Sequence, residues 1–134
     1  MDMEKTVTVA GIGCRKGVSC AEVLAAIDAA LGRYGLSRDA LDAVATLSRR
    51  QTEPGLVEAA GALGLPLVAA CPEEREDVQA RLLTHSEASL AATGFGSAAE
   101  AAALAAAGAG ARLLGPRLAT GPVTCAIATE RGRQ

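Results

Sequence analysis

A short apolar run, Val7-Thr8-Val9-Ala10, enters a glycine-spaced stretch, Gly11-Ile12-Gly13-Cys14-Arg15-Lys16-Gly17, which delivers the chain to Ser19-Cys20-Ala21-Glu22 and an amphipathic segment reaching Leu31. The pattern predicts strand, glycine loop, helix. Glycines at 11, 13 and 17 permit positive φ angles and let a ligand come close to the main chain. Ser19 with Glu22 three residues on is a capping-box signature, and the helix N-terminus behind it carries roughly half a positive charge. With Arg15 and Lys16 beside it, the loop is expected to receive an anion.

The remaining elements build outward from that unit. Val23, Leu24, Ile27, Ala30, Leu31 and Tyr34 recur at helical spacing up to Gly35, and Ala43 to Leu47 has the length and composition of a second buried strand. Pro54 opens another helix, closed by Gly64, and Pro66 to Ala70 reads as a third strand. Pro72 to Leu83 is charged and helical in period, whereas Thr84 to Gly96 reads as an irregular loop or lid hinged at Gly94 and Gly96. Ser97 and Glu100 repeat the capping signature ahead of an Ala-rich helix to Ala107, stopped by Gly108-Ala109-Gly110. Ala111 to Leu114 and Val123 to Ala128 are strand candidates, too close in the chain for a crossover helix and so antiparallel neighbours. The expectation is one α/β domain over 1–134, three-layered, with a mainly parallel sheet, a C-terminal antiparallel hairpin and helices on both faces. Residues 1–5 and 130–134 are expected to be flexible. Tyr34 and Phe95 are the sole aromatic residues and Trp is missing, so Val, Leu, Ile and Ala must form the core.

The formal net charge of −2 gives no general electrostatic attraction to nucleic acid or an anionic membrane, and base stacking lacks aromatic rings. No apolar run reaches the ~18 residues of a membrane span, and residues 1–5 do not form a signal peptide, which points to the cytoplasm. Cys14, Cys20, Cys71 and Cys125 lack zinc-ligand spacing, so no metal site is expected. Cys14, beside two cations and a helix N-terminus, is expected to have a lowered thiol pKa.

Ligands of open parallel sheets sit at the carboxyl ends of the strands. Arg15, Lys16, Arg49, Arg50 and Arg117 would converge at that edge, which suits a polyanionic small molecule. Glu53, beside Arg50 at a loop-to-helix junction, is either a general base or a helix cap. Glu100 has the same capping alternative, and Thr124 is either a hydroxyl donor to a ligand or an ordinary strand residue. His85, the single histidine, reads as a surface residue. The glycine spacing also suggests a dinucleotide loop, with Arg49-Arg50 reading a 2′-phosphate of NADP, although it departs by one residue from the usual fingerprint.

Four segments together carry a family resemblance: Gly11 to Gly17 with Ser19, Ala21 and Glu22; Thr46 to Gly55, ending Glu53-Pro54-Gly55; Gly94 to Leu104; and Pro116-Arg117 through Gly121-Pro122-Val123-Thr124-Cys125 to Ala128. Over residues 7 to 128 the chain resembles the CobE family of cobalamin biosynthesis, also found as the C-terminal domain of CbiG proteins. The resemblance implies a role in corrin assembly. In CbiG proteins this is lactone opening of a cobalt-precorrin-5 intermediate with loss of acetaldehyde, while the stand-alone members are associated with the oxygen-dependent route. The family usually has lysine where this chain has Arg50 and Arg117, which favours anion recognition over lysine chemistry.

The implied ligand is a corrinoid intermediate near the ring-contraction stage, with cobalt present only as part of that ligand and no covalent cofactor. Its expected contacts are Gly11, Gly13, Cys14, Arg15, Lys16, Gly17, Arg50, Ser97, Glu100, Arg117 and Thr124, with Glu53 the candidate acid or base. Catalyst, carrier for other pathway enzymes, and NADP-binding reductase-like domain remain the alternatives, and a homodimer is left open.

Overall fold

In the computed structural model, which describes residues 6–72, 77–108 and 110–131, β1 (Thr6–Cys14) runs straight through the first two glycines. All nine of its residues pair with the antiparallel β6 (Val123–Arg131), from Thr6 opposite Arg131 to Cys14 opposite Val123. The expected glycine loop is therefore corrected. Gly11 and Gly13 are strand residues, and of the three glycines Gly17 alone has a positive φ, +86°.

The chain next forms α1 (Cys20–Arg33), with both halves of the Ser19/Glu22 capping box made. A 3-10 turn at Arg38–Ala40 leads into β2 (Ala43–Leu47), and a second at Ser48–Arg50 leads into α2 (Pro54–Leu63), closed by the left-handed Gly64. β3 (Leu67–Ala70), α3 (Asp77–Arg81), α4 (Glu87–Thr93) and α5 (Ala98–Ala107) follow. β4 (Arg112–Leu113) and β5 (Leu118–Thr120) precede β6.

The strand order is β3-β2-β1-β6-β4, with β5 also on β6. β1 and β2, and β2 and β3, are parallel, and β5–β6 is the C-terminal antiparallel hairpin. β4 meets β6 at Leu113–Ala128 and β5 meets it at Leu118–Cys125, so the two form one interrupted edge from which residues 115–117 loop out after Leu114 N–H donates to the Ile127 carbonyl.

Side chains alternate between the two faces of the sheet, as the pleat requires. Ala10, Ile12, Val44, Val123, Cys125 and Ile127 pack under α1 and α2. Val9, Ala45, Leu47 and Ala128 pack under α5, joined by Val78 and Leu82 from the α3 region. On this second face β1 presents glycine at 11, where an added Cβ would lie 2.2 Å from the Ala99 carbonyl oxygen. Small residues on both partners let α5 lie nearly in contact with the strand.

One further expectation changes. The segment 84–96 contains α4, capped by the Ser86 hydroxyl, which accepts from the Ser89 N–H, and ended by Gly94 at φ +84°. None of its residues is buried, so it has no apolar stripe to reveal it as a helix. Of the terminal residues expected to be flexible, Glu130 and Arg131 belong to β6 and pair with Val7 and Thr6. Residues 1–5, 73–76, 109 and 132–134 and the side chains of Arg49, Asp77 and Arg131 lie outside the described part, with the expectations that fell on them. No single helix among the described residues is long and apolar enough to cross a membrane.

Candidate functional site

The carboxyl end of β1 and the start of β6 meet side by side, and a cleft of about 410 Å³ opens over them. Gly13, Cys14 and Arg15 enter from β1, and Gly121, Pro122 and Thr124 from the β5–β6 turn and β6. Arg117 enters from the connection between β4 and β5, and Ser89 and Ala98 from α4 and the start of α5. Gly13 makes the room. A Cβ there would sit 2.6 Å from the Thr124 Oγ1 and 3.5 Å from the Ala99 nitrogen, so glycine leaves space between the strand and the start of α5. Thr124 Oγ1 donates to the Gly13 carbonyl at 3.3 Å.

The α5 N-terminus is well braced. Ser97 is fully buried and its hydroxyl accepts from the Glu100 N–H, while the Ser89 hydroxyl accepts from the Ala98 N–H, each at 3.2 Å. Glu100 does not complete a capping box. It is 0 % exposed, and its carboxylate accepts from the Leu83 and Thr84 amides, the Thr84 hydroxyl and the Arg117 amide.

On the other side of the loop, Glu53 occupies the N-cap position of α2 without capping it. Its Oε2 instead accepts from the Gly17 N–H at 2.8 Å, drawing the loop onto α2. Gly55 permits that approach, since a Cβ there would lie 2.2 Å from the Val18 carbonyl. The Cys14 thiol pKa is raised rather than lowered: burial is the main cause, the Glu53 carboxylate adds to it, and Arg50 acts in the opposite sense. Arg15 and Lys16 are exposed, where water screens their charge.

The structure thus gathers Gly13, Cys14, Arg15, Arg117 and Thr124 around one cleft, with Arg50 and Glu53 acting on Cys14 behind it. Lys16 and Gly17 are exposed outside the lining, Gly11 lies beneath α5, and Ser97 and Glu100 are buried supports. The dinucleotide reading is corrected by the same geometry. That fingerprint needs its glycines in a turn at a helix N-terminus, whereas Gly11 and Gly13 are paired in the sheet.

Ser89, Ala98, Gly121 and Pro122 complete the lining and were not foreseen. Gly-Pro is a turn signal, but nothing in a sequence announces that a turn faces a ligand. Among the described residues no group of three His, Cys, Asp or Glu stands together as a metal site. A second cavity, about 480 Å³, lies between residues 80–83 and 110–113 and contains none of the expected ligand contacts.

Comparisons with known proteins agree with the architecture. A family model described as cobalamin synthesis G C-terminus matches residues 8–128. Protein CobE of a Sinorhizobium species is 33% identical over 120 residues, spanning 90% of this chain and 78% of that protein. The crystal structure of a CobE, a protein from the cobalamin (vitamin B12) biosynthetic pathway, matches with TM-score 0.89 and 37% identity over 99% of this chain and 98% of that one. Cobalamin biosynthesis protein chiG from Agrobacterium tumefaciens str. C58 matches with TM-score 0.71 and 51% identity over 91% and 97% of the two chains.

Proposed function

The chain belongs to the cobalamin synthesis G C-terminus family and is a cobalamin-biosynthesis protein of the CobE and CbiG type, and from that premise we propose that its cleft binds a precorrin or corrinoid intermediate near the ring-contraction stage. The observation that carries the reading is that Arg15 and Arg117, from two separate loops, line one cleft. Corrin precursors bear many acetate and propionate carboxylates. Guanidinium groups bind carboxylate through two parallel hydrogen bonds.

The macrocycle is broader than the cleft, so a peripheral carboxylate arm enters it. The ring itself rests outside, against Gly121, Pro122 and Ala98. Arg50, close enough to act on the Cys14 thiol, extends the cationic edge. Glu53 is the candidate acid or base if the bound ring is converted, and cobalt arrives only within the ligand. A carrier that hands the intermediate to another pathway enzyme uses the same contacts without Glu53 chemistry.

An anaerobic visible-absorption titration with corrin-pathway intermediates, followed by mass analysis of the bound tetrapyrrole, tests the proposal. A spectral shift at unchanged mass identifies a carrier, and loss of a two-carbon fragment identifies an enzyme. In the same assay, Arg117→Ala is expected to weaken binding about ten-fold, the worth of one charge-assisted contact. Absence of any shift across the series overturns the proposal.

A further inference from the structure

We infer that Glu100 is a positioning residue: one buried carboxylate that ties the α3–α4 connection to the β4–β5 connection and thereby sets where Arg117 stands at the cleft. Glu100 Oε1 accepts from the Leu83 N–H at 2.8 Å and the Thr84 N–H at 2.9 Å. Oε2 accepts from the Thr84 hydroxyl at 2.6 Å and the Arg117 N–H at 2.8 Å. Four donors meet the roughly four acceptor directions a carboxylate offers. The charge is offset by its place in the first turn of α5, where the helix dipole favours an anion.

Each segment it joins has a backbone tie of its own, Leu114 N–H to the Ile127 carbonyl at 2.9 Å and Ser86 N–H to the Gly96 carbonyl at 2.8 Å, but neither of these bonds links one segment to the other. Residues 115–117 leave the sheet between β4 and β5, and residues 82–86 cross between α3 and α4. Both lead directly to cleft residues, Arg117 on one side and, through α4, Ser89 on the other. A well-packed apolar side chain would hold α5 on the sheet at least as well as a buried carboxylate. Only the carboxylate fixes the backbone of Thr84 and Arg117 together. A glutamine does not replace it, because its amide N–H₂ would face N–H donors. The role of Glu100 explains how a residue out of reach of the cleft governs it.

The effect on ligand rests on the corrinoid reading above, whereas the effect on the backbone does not, and the test separates them. Residue-resolved amide hydrogen exchange on the whole chain compares Glu100→Gln with wild type. The expected result is exchange faster by at least about ten-fold at Leu83, Thr84 and Arg117, with Ile12 and Ile127 in the β1–β6 ladder unchanged. Should that variant fail to fold, Thr84→Val removes one donor from the cluster and is expected to give the same local pattern at smaller amplitude. Uniform acceleration, or none, assigns Glu100 a merely structural role and overturns the inference.

Binding of cobyrinic acid, a corrin with free carboxylates, then supplies a second readout by absorption. Glu100→Gln and Arg117→Ala are each expected to weaken it about ten-fold, and the double variant to be no weaker than Arg117→Ala, since Glu100 acts through Arg117. Additive losses overturn the inference. Failure of wild type to bind counts against the corrinoid reading instead, and the exchange result alone then decides the role of Glu100.

Discussion

Replacing Gly11 with alanine tests the packing on which the cleft depends. The new Cβ would lie 2.2 Å from the Ala99 carbonyl oxygen, 2.6 Å from the Ala103 nitrogen and 2.7 Å from the Ala103 Cβ. Two of these are backbone atoms of α5, which cannot rotate aside, so the helix itself must retreat by more than about 1 Å to regain ordinary contact. Overpacking of this kind costs about 1–3 kcal/mol, and contacts with helix backbone favour the upper end. At roughly 4 °C per kcal/mol for a domain of this size, the thermal midpoint should fall by about 10 °C. Glycine-to-alanine in a strand is otherwise favourable by about 0.5–1 kcal/mol, so the measured loss is a lower bound on the clash. Gly61→Ala is the control: it lies in α2 with nothing within 4 Å of the added Cβ, and should raise stability by about 0.5–1 kcal/mol. Thermal and denaturant unfolding of the two variants read both effects. A Gly11→Ala midpoint within about 2 °C of wild type would refute the close-packing argument.

Three further outcomes follow from the charged groups. Because burial and the Glu53 carboxylate raise the Cys14 pKa while Arg50 opposes them, iodoacetamide should label Cys14 slowly near neutral pH. Glu53→Gln should speed that labelling and Arg50→Ala should slow it, as read by peptide mass; Cys125, pushed up to about 12 by burial, should stay unlabelled until the protein unfolds. The side-chain hydrogen bond from Arg38 lowers the Asp28 pKa, so this pair contributes stability at and above the ordinary aspartate range and loses it as pH falls through the depressed value. Asp28→Asn should therefore be slightly less stable than wild type at neutral pH, and urea midpoints of the two should converge as pH falls from the ordinary aspartate range through the depressed Asp28 value. Arg50→Ala should weaken corrinoid binding several-fold with an unchanged unfolding midpoint, and an unchanged affinity would remove Arg50 from the site.

What the sequence revealed follows from how local each signal is. Ser19 and Glu22 announced the start of α1, and Gly64 the end of α2, because a cap is written within a few adjacent residues. Ala43–Leu47 was legible to its bounds as an apolar run between turns. The glycines of β1 misled because spacing alone does not separate a glycine that turns from one that lets a helix approach. Only the position of Ala99 and Ala103, some ninety residues later, decides it. Glu100 misled in the same way. Its spacing from Ser97 fits a capping box, yet the donors that claim its carboxylate come from residues 83, 84 and 117. Arg15 and Arg117 were expected to converge at one edge of the sheet, and they line one cleft; that β6 lies antiparallel beside β1 there was not legible, because the pairing joins residues more than a hundred positions apart.

That strand order also gives the cleft its character. In a wholly parallel sheet the carboxyl end of β1 would be flanked by other carboxyl ends, and the ligand would meet loops leading into crossover helices. Here β6 runs against β1, so the end of one strand lies beside the beginning of another, and a tight turn at Gly121-Pro122 replaces a helix on that flank. The low turn leaves one side of the cleft open, while α5, laid close on Gly11 and Gly13, brings Ala98 to its lining. On the proposed corrinoid reading, the open flank receives the ring, and Arg15 and Arg117 receive an anionic arm. The antiparallel β6 and the glycine-lined strand beneath α5 are therefore two parts of one arrangement, and losing either should impair binding even with every arginine in place.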